Sequence, residues 1–269
     1  MVLIGIFNSR LGIGIEIFKN NLIYGSLAYL FLAFSGLTIV KLLQDSNNPK
    51  TKSKFTEKRV IMIFGIFFLI SFILTIVNVI ENTIIYSFNI IIIFCTVLIV
   101  ILWMLLGFYG YKYRKHIPII NVLMVTLIFS LGIIYGVFLN TDLIPIHIYF
   151  FFISIAFLQL SRELTKGFSK RENEIDFFQN NNRLIDSKLL KFSLSFQVFS
   201  IIFLILPFFN YIMLTALTVF LLIFNLIIMG FASFLTISSI IESDIYKKIS
   251  SILKIAILLE LILLLITGN

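Results

Sequence analysis

Long apolar runs separated by short polar clusters make up almost the whole chain. The runs are about 20 residues long, which is the length that a helix needs to cross a bilayer core of roughly 30 Å. Inside hydrocarbon every backbone polar group must be paired within the protein, so runs of this kind form helices. The pattern predicts helices over residues 22–43, 60–79, 84–106, 118–138, 143–160, 192–206, 211–236 and 252–267.

The stretch from Val2 to Phe18 is a weaker candidate, because Arg10 and Glu16 interrupt it. A charge near the middle of a spanning helix costs roughly 2.5–3.5 kcal/mol on insertion scales. The stretch is therefore either a first helix that packs inside the bundle or a re-entrant segment. The sequence predicts an all-α, polytopic integral membrane bundle of nine transmembrane helices, or eight if this stretch does not cross. We expect one domain over residues 1–269.

The composition fits a membrane protein. Hydrophobic residues make up 60% of the chain and charged residues 13%, whereas soluble domains carry about 25% charged residues. Cys95 is the only cysteine and lies inside an apolar run, so no disulfide framework is expected. A cleavable signal peptide is not predicted, because the first apolar stretch contains charges and has no small-residue cleavage site.

The positive charge lies on one side of the predicted topology. All Lys and Arg residues except Arg10 and Lys19 lie in four polar segments or at the helix ends beside them, namely 44–57, 109–116, 161–191 and 242–248. The positive-inside rule makes this face cytoplasmic. The net charge of +8 then favours anionic lipid headgroups as partners, and no nucleic acid partner is expected. We expect an integral protein of the cell membrane with cytoplasmic basic loops.

Three segments resemble motifs of one family. The segment SRELTKGFSKRENEID begins at Ser161 and contains Arg-Glu-x-x-Lys at Arg162, Glu163 and Lys166. The loop YGYKYRKH is followed by Pro118 and Asn121, and SSILKIAILLE lies in the last helix. In this order they resemble motifs of the UbiA superfamily of intramembrane prenyltransferases over nearly the whole chain. The Arg-Glu-x-x-Lys form is most similar to the branches that make ether lipids and quinones.

The resemblance implies a fold and a reaction. The family transfers a prenyl group from a prenyl diphosphate to a lipid or aromatic acceptor, and Mg²⁺ held by two Asp-rich motifs neutralises the leaving diphosphate. Basic residues are implied to bind the diphosphate here, and the candidates are Lys41, Arg114, Lys115, Arg162, Lys166 and Lys170. The alternative for these residues is a role as membrane anchors or in an ion pair with Glu163.

The Asp-rich motifs are largely replaced. Alignment at Gly36 puts the six aspartate positions at Lys41, Gln44, Asn48, Gly167, Lys170 and Glu174. In one interpretation Asp45, Asn48 and Glu174 form a reduced Mg²⁺ site and the protein is an active prenyltransferase. In the other the metal site is lost and no cofactor is used. The lysines then hold an anionic lipid headgroup, and the protein is an inactive homologue that binds lipid or a partner protein.

Other polar residues inside the apolar runs are few. Glu260 lies within the last run, where a carboxyl group is either functional or a buried, protonated or hydrogen-bonded side chain. His116 and His147 lie far apart in the topology, so they do not predict a metal pair. A transporter would show repeated broken helices with polar residues at the midplane. That pattern is not found, which makes a small-molecule transporter the weakest alternative.

Overall fold

The computed structural model describes residues 1–9, 13–46, 57–81, 118–141, 144–172, 182–238 and 245–267. Within these ranges it describes the side chains of all residues except 39–46, 57–58, 118–121, 124, 167–172 and 182–189. The regular structure of these ranges is helical. In chain order the helices are α1 (Val2–Asn8), α2 (Ile15–Asn20), α3 (Ser26–Ser46), α4 (Glu57–Ile80), α5 (Pro118–Phe138), α6 (Ile146–Glu172), α7 (Asn182–Ile205), α8 (Pro207–Asn210), α9 (Ala216–Ser238) and α10 (Tyr246–Thr267).

Helices long and apolar enough to cross a membrane account for most of the described chain. Six such segments lie at Ile15–Thr38, Arg59–Ile80, Ile146–Lys166, Leu190–Asn210, Ala216–Ser238 and Tyr246–Thr267. A shorter apolar segment, Val125–Phe138, lies within α5. The first span is continuous because a π-helical turn at Asn21–Gly25 joins α2 to α3. The predicted all-helical, membrane-spanning architecture is thus confirmed for these ranges.

The first stretch does not form a single helix from Val2 to Phe18. The seven residues of α1 rise only about 10 Å, which is a third of a bilayer core. The first span begins at Ile15, seven residues before the predicted start. Within the described residues this stretch therefore contains α1 and the start of the first span, and whether it crosses the membrane before residue 15 remains a prediction. The predicted helix over 84–106 lies outside the described residues, so the total number of helices remains a prediction.

The predicted helix ends are wrong where polar residues continue a helix beyond its apolar run. The prediction for α5 is confirmed at both ends, whereas α6 extends to Glu172 rather than Leu160. The next helix starts at Asn182, ten residues before its predicted start, and is not short. Hydropathy falls where a helix leaves the hydrocarbon, but helical hydrogen bonding continues into the headgroup layer. The hydropathy pattern therefore predicted the apolar part of each helix and missed the residue at which the helix ends.

The described chain forms two compact units, residues 1–144 and 145–269. In the first unit α3 packs against α4 and α5, and α1 packs against α5. The α1–α5 contact depends on two glycines. A Cβ atom on Gly5 would collide with the Ile133 carbonyl oxygen, and one on Gly136 would collide with the Val2 carbonyl oxygen. The two helices therefore approach at backbone distance, as small residues allow in membrane helices.

Two asparagines connect the ends of the helices in this unit. Asn21 donates to the Leu139 carbonyl oxygen at 2.6 Å and to Asn140 Oδ1 at 2.8 Å. Asn140 in turn donates to the Ile6 carbonyl oxygen at 2.8 Å and to Ser9 Oγ at 3.1 Å. All of these groups are buried, so each bond satisfies a polar atom that water does not reach. The Asn21–Asn140 pair thus connects α1, the π-helical turn and the end of α5.

The second unit is a bundle of four long helices. Helix α6 packs against α7 and α10, and α9 packs against α10 and α7. The inner side of α9 is formed by Thr218, Asn225, Met229, Ala232 and Thr236. Its outer side carries large apolar residues such as Phe220, Ile227 and Phe234, each more than half exposed. Apolar residues outside and polar residues inside are what a bundle surrounded by lipid requires.

Candidate functional site

A cluster of charged residues lies towards the C-terminal end of α6. Arg162 Nη1 lies 3.0 Å from Glu163 Oε1, and Lys166 Nζ lies 3.6 Å from Glu163 Oε2. Gln159 is buried; it donates to Glu163 Oε1 at 3.3 Å and accepts from Arg162 Nη1 at 3.4 Å. Glu163 therefore accepts hydrogen bonds from Gln159 and Arg162 and forms a longer ion pair with Lys166, and the four side chains form a continuous polar surface. We call these four residues the α6 charged cluster.

The cluster has an excess of positive charge and an unused donor. Two cations share one carboxylate, so Glu163 neutralises only half of the positive charge. Arg162 Nε is buried and has no hydrogen-bond partner among the described residues. Lys166 is 45% exposed, whereas Glu163 is only 11% exposed. An incoming anion would therefore meet Lys166 first and would find Arg162 already oriented by Glu163 and Gln159.

A buried hydrogen-bond network lies beside the cluster, between α6, α7 and α9. Gln197 Nε2 donates to Ser161 Oγ at 2.9 Å and to Thr236 Oγ1 at 3.0 Å. Its Oε1 accepts from Ser233 Oγ at 2.9 Å. The hydroxyls of Ser161 and Ser193 are 2.8 Å apart. We call these five residues the Gln197 network, and it holds three helices together beneath the charged cluster.

A third group of polar residues lies deeper in the bundle. The hydroxyls of Ser154 and Ser200 are 2.8 Å apart, between α6 and α7. On α10, Glu260 is completely buried, and neither of its carboxyl oxygens has a hydrogen-bond partner within the described chain.

No sequence motif identified the buried hydroxyl and amide groups. The spacing of these residues along their helices, however, does identify them. Ser154, Ser161 and Thr165 recur at helical spacing on α6 and are all buried. Ser193 and Ser200 lie seven residues apart on α7 and are buried as well. Positions seven or four residues apart share one face of a helix, so polar residues at this spacing within apolar runs mark an interior polar face.

Aromatic side chains form a ladder along α6 and α7. Phe157 stacks on Phe196 with ring centroids 5.7 Å apart and contacts Phe199 and Phe203 at 5.8 Å. Phe150 continues the series through Phe203 at 6.3 Å. Phe157 lies five residues before Arg162, so the ladder begins within about two helical turns of the charged cluster and runs away from it.

The structure describes only part of the predicted site. Arg162 and Lys166 are brought together, with Glu163 as their common partner. Three other candidates lie on the described helical backbone without described side chains, namely Lys41, Asp45 and Lys170. Four candidates lie outside the described residues: Asn48, Arg114, Lys115 and Glu174. Their proximity to Arg162 remains a prediction.

The described residues do not fit a Mg²⁺ site. They contain no group of three or more His, Cys, Asp or Glu side chains arranged to hold a metal ion. The carboxylate of the cluster is Glu163, and each of its two oxygens already faces a cation. Mg²⁺ binds through carboxylates and phosphate oxygens, so an ion-paired Glu163 is a poor ligand. The predicted ligands Asp45, Asn48 and Glu174 are not tested by these residues.

A solved structure of digeranylgeranylglyceryl phosphate synthase, a UbiA-superfamily intramembrane prenyltransferase, is similar to this chain. The TM-score is 0.63 at 16% identity, and the match covers 99% of this chain and 91% of the synthase. The chain therefore has the fold of that synthase. No family sequence model and no curated protein sequence matches the chain.

The likeness to the synthase agrees with the fold that the sequence motifs implied, at 16% identity. A membrane-enzyme fold and six apolar helices together make this an integral membrane protein. Among the described side chains, the α6 charged cluster combines two cations with a buried unused donor.

Proposed function

We propose that the protein is a UbiA-type, prenyltransferase-like membrane protein that binds a prenyl diphosphate at the basic end of α6. The diphosphate contacts Arg162 and Lys166, and the prenyl chain extends along the bilayer. The observation that supports this assignment is the α6 charged cluster within a chain of prenyltransferase fold. The acceptor of the prenyl group would be a membrane lipid or an aromatic compound.

The electrostatics of the cluster favour a ligand with several negative charges. A diphosphate offers more negative charge and more acceptor oxygens than the single Glu163 carboxylate. It would therefore compete with Glu163 for Lys166 and occupy the free Nε of Arg162. Lys170, one helical turn beyond Lys166 on α6, would add to this site.

A second candidate is a catalytically inactive homologue that binds an anionic lipid headgroup. Its support is that the carboxylate of the cluster is ion-paired with both cations, which makes it unavailable to a metal. In the active form, Mg²⁺ would be held by Asp45, Asn48 and Glu174. The two candidates share the binding step and differ in whether transfer follows.

The test is binding and transfer of radiolabelled geranylgeranyl diphosphate by the full-length protein in nanodiscs. We expect saturable binding that Arg162→Ala weakens by about tenfold or more, since a charge-assisted hydrogen bond contributes roughly 1.5–3 kcal/mol. Lys191→Ala is the matched control, because it removes an exposed cation at the basic end of α7 outside the cluster. An equal loss in Arg162→Ala and Lys191→Ala would show nonspecific attraction and contradict the proposed site.

Two further measurements separate the candidates. Product formation from a total lipid extract that requires Mg²⁺ and stops with EDTA supports the transferase. Binding that EDTA leaves unchanged, with no product from any acceptor, supports the inactive homologue. Glu163→Gln sharpens the result: removal of the competing carboxylate charge should tighten diphosphate binding severalfold if Glu163 only orients Arg162. It should abolish Mg²⁺-dependent binding if Glu163 is a metal ligand.

A further inference from the structure

The outward face of α10 changes from basic to apolar along the helix. Helix α10 buries its other face and packs against α6 and α9. The outward face has six exposed residues at intervals of three or four, namely Lys247, Ser251, Lys254, Leu258, Ile262 and Leu265. At 100° per residue, these six positions lie within about 80° of one another around the helix. We call these six residues the α10 stripe.

Lys254 lies deep in the membrane for an exposed cation. The span Tyr246–Thr267 has 22 residues and is about 33 Å long, close to the roughly 30 Å of a hydrocarbon core. Lys254 follows Tyr246 by eight residues, which is about 12 Å along the helix. A cation at this depth is unfavourable unless its side chain reaches the headgroup layer or a negative partner.

The lysines of the stripe have no carboxylate partner among the described residues. The ion pairs described in these ranges are those that Glu163 forms with Arg162 and Lys166. The carboxyl group on α10 itself, Glu260, is completely buried and lies about 120° around the helix from Lys254. Both lysines therefore face outward with their charge unpaired within the described chain, at the level where the headgroups of a surrounding leaflet lie.

The spacing of the two lysines suits one phosphate group. Lys247 and Lys254 are separated by two helical turns, about 10 Å along the axis. Ser251 lies between them, and its hydroxyl donates to the Lys247 carbonyl oxygen at 3.0 Å. This small side chain leaves the space between the two lysines open. Lysine side chains are long and flexible, so both ammonium groups can reach the same phosphate from the two ends of this space.

The apolar part of the stripe suits an acyl chain. Leu258, Ile262 and Leu265 are 58%, 40% and 41% exposed. From Lys254 to Leu265 the helix rises about 16 Å, which is about half of a hydrocarbon core and thus the depth of one leaflet. A phospholipid has its groups in the same order, with a phosphate at the membrane surface and apolar chains that extend through one leaflet.

We propose that the α10 stripe binds one phospholipid with a net negative headgroup. Its phosphate lies between the ammonium groups of Lys247 and Lys254, and one acyl chain lies along the three apolar residues of the stripe. A choline headgroup is disfavoured because its own cation neutralises the phosphate that the lysines attract. The stripe shares no residue with the α6 charged cluster, so this proposal goes beyond the proposed prenyl diphosphate site and does not depend on it.

The experiment is native mass spectrometry of the full-length protein in detergent, titrated with phosphatidylglycerol or with phosphatidylcholine of the same acyl chains. We expect one phosphatidylglycerol to bind at least fivefold more tightly than phosphatidylcholine. Lys247→Ala and Lys254→Ala should each weaken its binding about fivefold, the effect of one basic residue beside an anionic headgroup. Lys248→Ala is the matched control, because Lys248 is exposed on the same helix but lies about 100° from Lys247. It should weaken binding less than twofold.

Three results would overturn the proposal. Equal losses in Lys248→Ala and Lys254→Ala would show nonspecific attraction to the basic end of the helix. Equal affinities for the two lipids would exclude selection by headgroup charge. Displacement of the lipid by soluble glycerol phosphate at equal concentration would show a phosphate site without acyl contacts. An unchanged melting temperature of Lys254→Ala without added lipid is the check that this variant folds.

A last measurement separates the two sites. The affinity for geranylgeranyl diphosphate should be unchanged in Lys254→Ala, because Lys254 is not part of the α6 charged cluster. A parallel loss of both ligands in this variant would make the stripe part of the diphosphate site and contradict a separate lipid site. Failure of diphosphate binding in the wild-type protein, with phosphatidylglycerol still bound, would refute the proposed function and leave the lipid site supported.

Discussion

Helices of the first unit, residues 1–144, meet through backbone atoms, whereas those of the second unit, residues 145–269, meet through polar side chains. In the first unit Gly5 and Gly136 bring α1 and α5 to backbone distance, and asparagines bind carbonyl groups. In the second unit Gln197 and four hydroxyl groups join α6, α7 and α9. Helices in a membrane must pack without a hydrophobic driving force between them. The two units of this chain achieve this packing in different ways.

The difference predicts which kind of substitution destabilises each unit and which unit contains the candidate ligand-binding residues. Backbone contacts leave no room for a larger side chain, so the first unit should be sensitive to volume. Side-chain networks can lose one bond and keep their shape, so the second unit should be sensitive to polarity. The described charged residues with a potential ligand-binding role, Arg162 and Lys166, lie in the second unit beside its network. Four substitutions test this contrast.

Gly136→Leu should have the largest effect on stability. Its side chain would collide with the Val2 carbonyl oxygen, and backbone cannot move aside as a flexible side chain can. We expect a loss of about 1–3 kcal/mol or more in the free energy of unfolding, measured by reversible denaturation in detergent micelles. Gly230→Leu is the control, because a Cβ atom at Gly230 meets nothing within 4 Å. Equal losses in both variants would contradict the close approach of α1 and α5.

Asn140→Leu and Gln197→Leu should have intermediate effects at different places. Each variant removes several buried hydrogen bonds, and bonds of this kind in membrane proteins average about 0.6 kcal/mol. We therefore expect a loss of roughly 1–2 kcal/mol in each variant. Hydrogen exchange locates the damage: Asn140→Leu should speed exchange in α1, and Gln197→Leu should leave α1 unchanged. Faster exchange of α1 in both variants would show that the two networks are not independent.

Lys166→Ala should have the smallest effect on stability. The ion pair with Glu163 is long, at 3.6 Å, and the lysine side chain is 45% exposed. Exposed pairs of this kind contribute about 0–1 kcal/mol, so the change in unfolding free energy should be near the limit of measurement. The affinity for geranylgeranyl diphosphate should nevertheless fall about tenfold. A large loss of stability with unchanged affinity would make Lys166 a structural residue and remove it from the site.

The fold was largely predictable from the sequence because each helix core coincides with an apolar run. The prediction for α5 is confirmed at both ends, since Pro118 begins the helix and Asn140 lies just beyond it. The start of α7 was not predictable, because Asn182–Lys191 is polar and yet helical. The seven-residue length of α1 was not predictable either, because its contact with Gly136 lies far along the chain and follows no local pattern.

The candidate site was predictable to a smaller extent. The sequence suggested Arg162 and Lys166 as ligands and also suggested Glu163 as their alternative partner, and the structure shows that pairing. Gln159 was not identified, because a glutamine at the end of an apolar run has no distinctive signature. The sequence identified Glu260 as an intramembrane carboxyl group, but its complete burial depends on the packing of α10 against α6 and α9. Residues on different helices become neighbours only through the fold.

The continuation of α6 to Glu172 determines how its charges can vary. The helix has 27 residues and is about 40 Å long, so it extends roughly 10 Å beyond a hydrocarbon core. In a loop, each basic residue could adjust independently to a bound anion. On a helix, Arg162, Lys166 and Lys170 follow one another at intervals of one turn, about 6 Å apart along the axis. Insertion of one residue between them would rotate the later charged residues by about 100° around the helix. The helix therefore fixes the positions of these three residues relative to one another.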